Sequence, residues 1–134
     1  MLKIFLCCGG GFSSSYLTQK MQQEIVNKGL SEEVSIDFYP FQIVSEIIDN
    51  YDIVLCCPHL NIYVKNYVKA NDVHIPFYVL PPRMYGVMEF DELYAEAKDI
   101  LDKYIQDPTN NPFVFPGEEN NLRVTRNKAH IHTK

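Results

Sequence analysis

Apolar residues along this chain come in short continuous runs, separated by stretches in which they recur every three or four positions. That rhythm predicts strands of a parallel sheet alternating with covering helices. Leu2 to Cys7 reads as the first strand. Beyond a glycine-rich turn, Tyr16, Leu17, Met21, Ile25 and Val26 follow helical spacing, with Ser13 or Ser14 available as N-cap and Gly29 as the stop. Val34, Ile36 and Phe38 alternate with Ser35, Asp37 and Tyr39 as a second strand, and Pro40 introduces a short helix bearing Phe41, Val44, Ile47 and Ile48. Asp52 to Cys56 is the third strand. Leu60, Tyr63, Val64, Tyr67 and Val68 mark the core stripe of another helix. Ile75 to Leu80 makes a fourth strand whose Pro76 suits a sheet edge. Leu93, Ala97, Ile100, Leu101 and Tyr104 give a final helix, closed by Asp107-Pro108.

The expected fold class is α/β: a three-layer sandwich around a four-stranded parallel sheet in the order 2-1-3-4, with a P-loop-like cysteine loop after the first strand. Residues 1–106 make the domain. From Asp107 the composition turns to Pro, Asn, Gly and scattered charge, with Phe113, Val114 and Phe115 as the apolar cluster. Residues 107–134 therefore read as a C-terminal extension, partly irregular: on composition a flexible one with a weak anchor, with packing on the core or on a neighbouring chain as the alternative. A chain of 134 residues, 46% hydrophobic and 22% charged, suits one core rather than two. Its net charge of −5 disfavours nucleic acid as a partner. The Ile4 to Cys8 run is far shorter than a signal-peptide core, and no apolar segment approaches the roughly 18 residues of a membrane span. A cytoplasmic chain without direct membrane insertion is expected.

The chemistry concentrates where the first strand ends, at Cys8-Gly9-Gly10-Gly11-Phe12-Ser13-Ser14-Ser15. Glycines let backbone N–H groups converge on an anion, hydroxyls add donors, and the following helix directs its positive end at the same point. A thiol at such a place can fall from a pKa of about 8.5 into the ~3.5–7.5 range and act as a nucleophile. Cys8 is the candidate nucleophile, and Gly9, Gly10, Gly11, Phe12, Ser13, Ser14 and Ser15 the candidate phosphate-binding residues. A thiol phosphatase or arsenate reductase needs an Arg six positions after its Cys to clamp phosphate. Ser13 and Ser14 stand there, which favours reversible carriage over hydrolysis. Arg83 and Tyr85, in the Leu80 to Gly86 loop after the fourth strand, are candidates for the rim of the site. Cys7 reads as an apolar filler, and Cys56 and Cys57 as packing residues, with redox pairing a minority option. Two adjacent Cys-Cys pairs lack the spacing of a structural zinc site, so no metal is expected. His74, His130 and His132 read as solvent-facing.

The residues around Cys8, together with Asp52-Ile53-Val54-Leu55 leading to Pro58 and the Met84-Tyr85-Gly86 turn, resemble the enzyme IIB component of the bacterial sugar phosphotransferase system, lactose/cellobiose (diacetylchitobiose) type. The likeness runs from Leu2 to about Gln106. It implies a phosphocysteine intermediate: Cys8 takes phosphate from a histidine of a IIA protein and passes it to a sugar, of the β-glucoside or disaccharide class, bound by the membrane permease IIC. No cofactor is implied. A thiol phosphatase or reductase, and a regulatory module that binds IIA without accepting phosphate, are the rival readings.

Overall fold

The computed structural model describes residues 1–8, 12–87, 89–120 and 123–133, with the side chains of 8, 12–17 and 87 outside that description. Four strands, β1 (Leu2–Cys8), β2 (Val34–Pro40), β3 (Ile53–Cys56) and β4 (Phe77–Val79), form one parallel sheet in the order β2-β1-β3-β4. This is the expected order, and Pro76 lies just outside the edge strand. Register pairs Ile4 with Ile36 on one side and Ile53 on the other.

The period-two alternation of β1 divides its side chains between two cores. Ile4 and Leu6 join Met21, Ile25, Leu93, Ala97 and Ile100 on one face, while Phe5 and Cys7 join Phe41, Val44, Leu60 and Val64 on the other. β3 and β4 and the inner part of β1 are covered on both faces and are apolar throughout, as a parallel sheet favours, whereas the edge strand β2 alternates Val34, Ile36 and Phe38 with Ser35 and Asp37. Each fully buried Ile, Leu or Phe contributes about 1.5–3 kcal/mol relative to exposure.

Helices α1 (Phe12–Asn27) and α5 (Phe90–Gln106) cover the first face. Helix α1 ends in a Schellman arrangement. Gly29 N–H donates to the Val26 carbonyl at 3.1 Å and Leu30 N–H to that of Ile25 at 2.9 Å. Gly29 adopts φ +71°, a left-handed conformation open to glycine at little cost. Val26, expected on the buried stripe, is 62% exposed: it lies on the solvent side of that last turn, next to buried Ile25. The helix begins at Phe12, so Ser13 and Ser14 lie inside its first turn rather than at the N-cap.

The second face is covered by residues 41–50 and by α3 (Asn61–Ala70), which follows a 3₁₀ turn at Pro58–Leu60. The single short helix expected after Pro40 is broken into a 3₁₀ turn (Phe41–Ile43), α2 (Val44–Ile47) and a second 3₁₀ turn (Ile48–Asn50). Tyr63, assigned to the core stripe, is 66% exposed, whereas Tyr67 packs edge-on against Phe41. The expected loop after β4 is a helix, α4 (Pro82–Val87), with Pro82 at its first position, where the missing N–H costs nothing.

Residues 107–133 depart from the expectation of a flexible extension. Phe113, Phe115 and Ala129 are buried, and the two phenylalanines belong to the α1/α5 core. Phe113 N–H donates to the Phe77 carbonyl at 2.7 Å. The Asn111 side chain receives Phe77 N–H at 2.9 Å and donates to the Ile75 carbonyl at 3.0 Å. Arg126 pairs at 2.8 Å with both Glu96 and Glu118 and donates to the Tyr78 hydroxyl at 2.9 Å. Ala129 and His130 donate their backbone N–H groups to Glu92 and Glu96. His132 is exposed as expected, with Nδ1 2.8 Å from Glu92, whereas His130 is half-buried and stacks on Phe115 instead of facing solvent. Composition misled because the Asn111, Arg126, Glu92 and Glu96 side chains find their partners within the protein.

Candidate functional site at the carboxyl ends of the strands

In an open parallel sheet, ligands sit beyond the carboxyl ends of the strands. β1, at the centre of the order, ends there at Cys8, with Pro40 of β2 as its register partner. On its other side Cys7 is registered with Cys56 of β3, and Cys57 N–H donates to the Cys7 carbonyl at 3.2 Å. Three residues separate Cys8 from the start of α1, whose first-turn N–H groups have no partners within the helix. Gly9, Gly10 and Gly11 lie outside the described residues, and so do the side chains of Cys8, Phe12, Ser13, Ser14 and Ser15.

The neighbouring thiols are well defined. Cys7 and Cys56 are fully buried, with their sulfurs 3.1 Å apart. Burial, and then the contact with Cys7, pushes the Cys56 thiol well above its ordinary range, so it stays protonated and unreactive. This agrees with the packing role read for both residues. Cys57 is also buried, and its Sγ lies 3.2 Å from Nε2 of exposed His59, a contact not anticipated from the sequence. Adjacency in the chain was the available signal: a thiol and an imidazole two residues apart, across a proline that starts a 3₁₀ turn. His59 further lines an open groove of about 580 Å³ with Phe41, Gln42, Ser45, Tyr63 and Tyr67.

Arg83 and Tyr85 lie on α4, which leaves the sheet from β4. Arg83 is exposed. Tyr85 is half-buried and packs against both cores, with Met84 buried between them in sequence. Among the described residues no three His, Cys, Asp or Glu side chains converge in the manner a metal ion requires. No helix among them is long and apolar enough to cross a membrane.

Comparison with known proteins bears on this arrangement. The family described as "PTS system, Lactose/Cellobiose specific IIB subunit" matches residues 3–96, which include all of the sheet but Leu2 and the first two turns of α5. No curated protein matches the sequence. Among solved structures, the cellobiose-specific phosphotransferase IIB component from Borrelia burgdorferi is similar, with 24% identity and a TM-score of 0.60. That match spans 76% of this chain and 93% of the other. The lactose-specific IIB component domain from Streptococcus pneumoniae is similar at 18% identity and a TM-score of 0.51, over 78% and 95% of the two chains. These structures share the fold, and the family match covers the strand end that carries Cys8. The chain therefore belongs to the lactose/cellobiose-specific IIB subunit family of the phosphotransferase system, a family of sugar-phosphotransfer components.

Proposed function

We propose that this protein is a phosphoryl carrier whose acceptor is Cys8. The observation that carries the reading is the family match over residues 3–96, read with the placement of Cys8 at the end of the central strand, three residues before a helix N-terminus. The Cys8 thiolate attacks the phosphorus of a phosphohistidine on a IIA protein. The S–P bond forms as the P–N bond breaks, and the donor imidazole keeps the electron pair. In the second step a sugar hydroxyl held by IIC attacks the phosphorus and gives up its proton to solvent, the O–P bond forms as the S–P bond breaks, and the sulfur keeps the electron pair as the regenerated thiolate.

Backbone N–H groups of Gly9 to Ser15 and the hydroxyls of Ser13, Ser14 and Ser15 are proposed to hold the phosphoryl oxygens. Such chemistry depends on positioning and charge stabilisation rather than on a cofactor. The work is done on the cytoplasmic side of the membrane, on a sugar of the β-glucoside or disaccharide class, a reading supported by similar proteins named for cellobiose and lactose. Arg83 and Tyr85 frame the partner-facing rim.

The test mixes the protein with a phosphorylated lactose/cellobiose-type IIA protein and maps the modified residue by mass spectrometry. Cys7→Ser keeps the label and Cys8→Ser loses it. Label retained in both variants would remove Cys8 from the role, and turnover of an aryl phosphate without IIA would point to a hydrolase instead.

A further inference from the structure

The groove between the 41–50 segment and α3 measures about 580 Å³, within the range of about 300–1,000 Å³ typical of small-molecule clefts. One wall is fixed by partners. The Tyr67 ring meets Phe41 edge-on at 5.7 Å and Phe77 at 5.5 Å, and its hydroxyl lies 2.9 Å from Ser45 Oγ. One of those two hydroxyls donates to the other, which leaves the second proton and the remaining lone pairs for a ligand. Tyr63 stands one turn before Tyr67 on α3, and positions four apart share a helix face. Its side chain is 66% exposed, and neither it nor the exposed Gln42 amide has a hydrogen bond, ion pair or ring contact among the described residues. Apolar ring surface and hydrogen-bonding capacity are thus left unused in the same place.

The lining also narrows the ligand. No Asp, Glu, Lys or Arg lines the groove, so a metal ion finds no carboxylate there and an anion finds at most His59. An apolar helix of a partner protein would strip water from Gln42 and the hydroxyl pair without replacing those hydrogen bonds. Both kinds of group are satisfied by a neutral ring with apolar C–H faces and hydroxyls around its edge.

We propose that this groove binds the carbohydrate itself, as a neutral disaccharide. A pyranose face lies on the Tyr63 ring, and the sugar hydroxyls bond Gln42 and the Ser45–Tyr67 pair. The choice of sugar rests on the carrier reading above, but the site takes in neither Cys8 nor its loop, and no covalent bond forms or breaks in it. It gives the carrier a reversible sugar site of its own, separate from the one in the permease.

The experiment titrates cellobiose and lactose into the isotopically labelled full-length chain and follows its resonances by NMR. Sorbitol, an open-chain polyol with no ring face, is the control. At least one disaccharide shifts the signals of Gln42, Ser45, Tyr63 and Tyr67 saturably, with affinity of about millimolar strength, and sorbitol at the same concentration does not. Tyr63→Ala weakens binding about threefold to tenfold, the worth of one aromatic stacking contact, while Tyr63→Phe keeps the ring and retains binding. Absence of a saturable shift with both disaccharides overturns the proposal. So do equal shifts with sorbitol, shifts confined to residues outside the groove, or unchanged affinity in Tyr63→Ala. Mapping the phosphoryl label separates the two claims: sugar binding without label on Cys8 sinks only the carrier reading, and label on Cys8 without sugar binding sinks only the groove.

Discussion

The C-terminal clasp and the rim beyond β3 are both built from polar side chains on an apolar layer, and they use those side chains in opposite ways. In the clasp, Glu96 is completely buried, yet its two oxygens receive the Arg126 guanidinium, the Tyr78 hydroxyl and the His130 N–H. Burial raises its carboxyl above the usual range even so, with those partners pulling the other way. Burial also drives the Tyr78 hydroxyl upward, and the Glu96 charge beside it adds to the effect. At the rim, His59 meets Cys57 Sγ through Nε2 and keeps an exposed ring beside a groove. Polar groups buried among partners hold the fold together, while an exposed ring at the rim faces solvent.

The hardest way to break the comparison is Arg126→Met. It leaves Glu96 and Glu118 facing each other without their shared cation, and removing one partner of a buried pair costs about 3–5 kcal/mol. Urea denaturation at neutral pH should show that loss. The deficit should shrink as acid protonates Glu96, because a neutral carboxyl needs no cation; a deficit independent of pH would mean that Arg126 acts through packing on Phe115 instead.

A smaller effect is expected at Glu92. Burial would raise its carboxyl, but the His132 contact and the Ala129 N–H overcome that and leave it below the ordinary value of 4.5. A depressed carboxylate stabilises the fold above its unfolded pKa, and that stabilisation disappears as pH falls through the folded value. Wild type should therefore lose more stability than Glu92→Gln on acidification below about pH 4.5, measured as the difference in denaturation midpoints. Parallel acid profiles would show that the His132 end of the clasp contributes nothing to folding. Least of all should change in Tyr63→Ser. That side chain is 66% exposed over the groove, and surface substitutions stay within about 0.5 kcal/mol. Thermal melts test this, and a drop of several degrees would place Tyr63 in the core after all.

The sheet was legible because β1, β3 and β4 are covered on both faces and read as apolar runs, because the edge strand β2 alternates with period two, and because Pro76 marks the other edge. The candidate nucleophile was legible for a local reason: glycines and hydroxyls between a strand and a helix have few other uses. What resisted reading depends on distant partners. Glu96 lies on the buried face of α5 at the position a core residue would take, and nothing nearby in sequence announces Arg126, thirty residues on. Tyr63 matches the helical stripe by spacing, yet it falls on the first turn of α3, which overhangs the groove instead of the sheet. The 82–87 segment was hidden by its two prolines, read as a break when the second one opens a helix.

Asn111 deserves a last thought. One face of its amide donates to Ile75 and the other accepts from Phe77, while Phe113 closes the pairing at Phe77 from the far side. A single side chain thus imitates the peptide group of an absent fifth strand. The outer margin of β4, which would otherwise be a template for adhesive stacking of one molecule on the next, is blunted by the protein's own terminus.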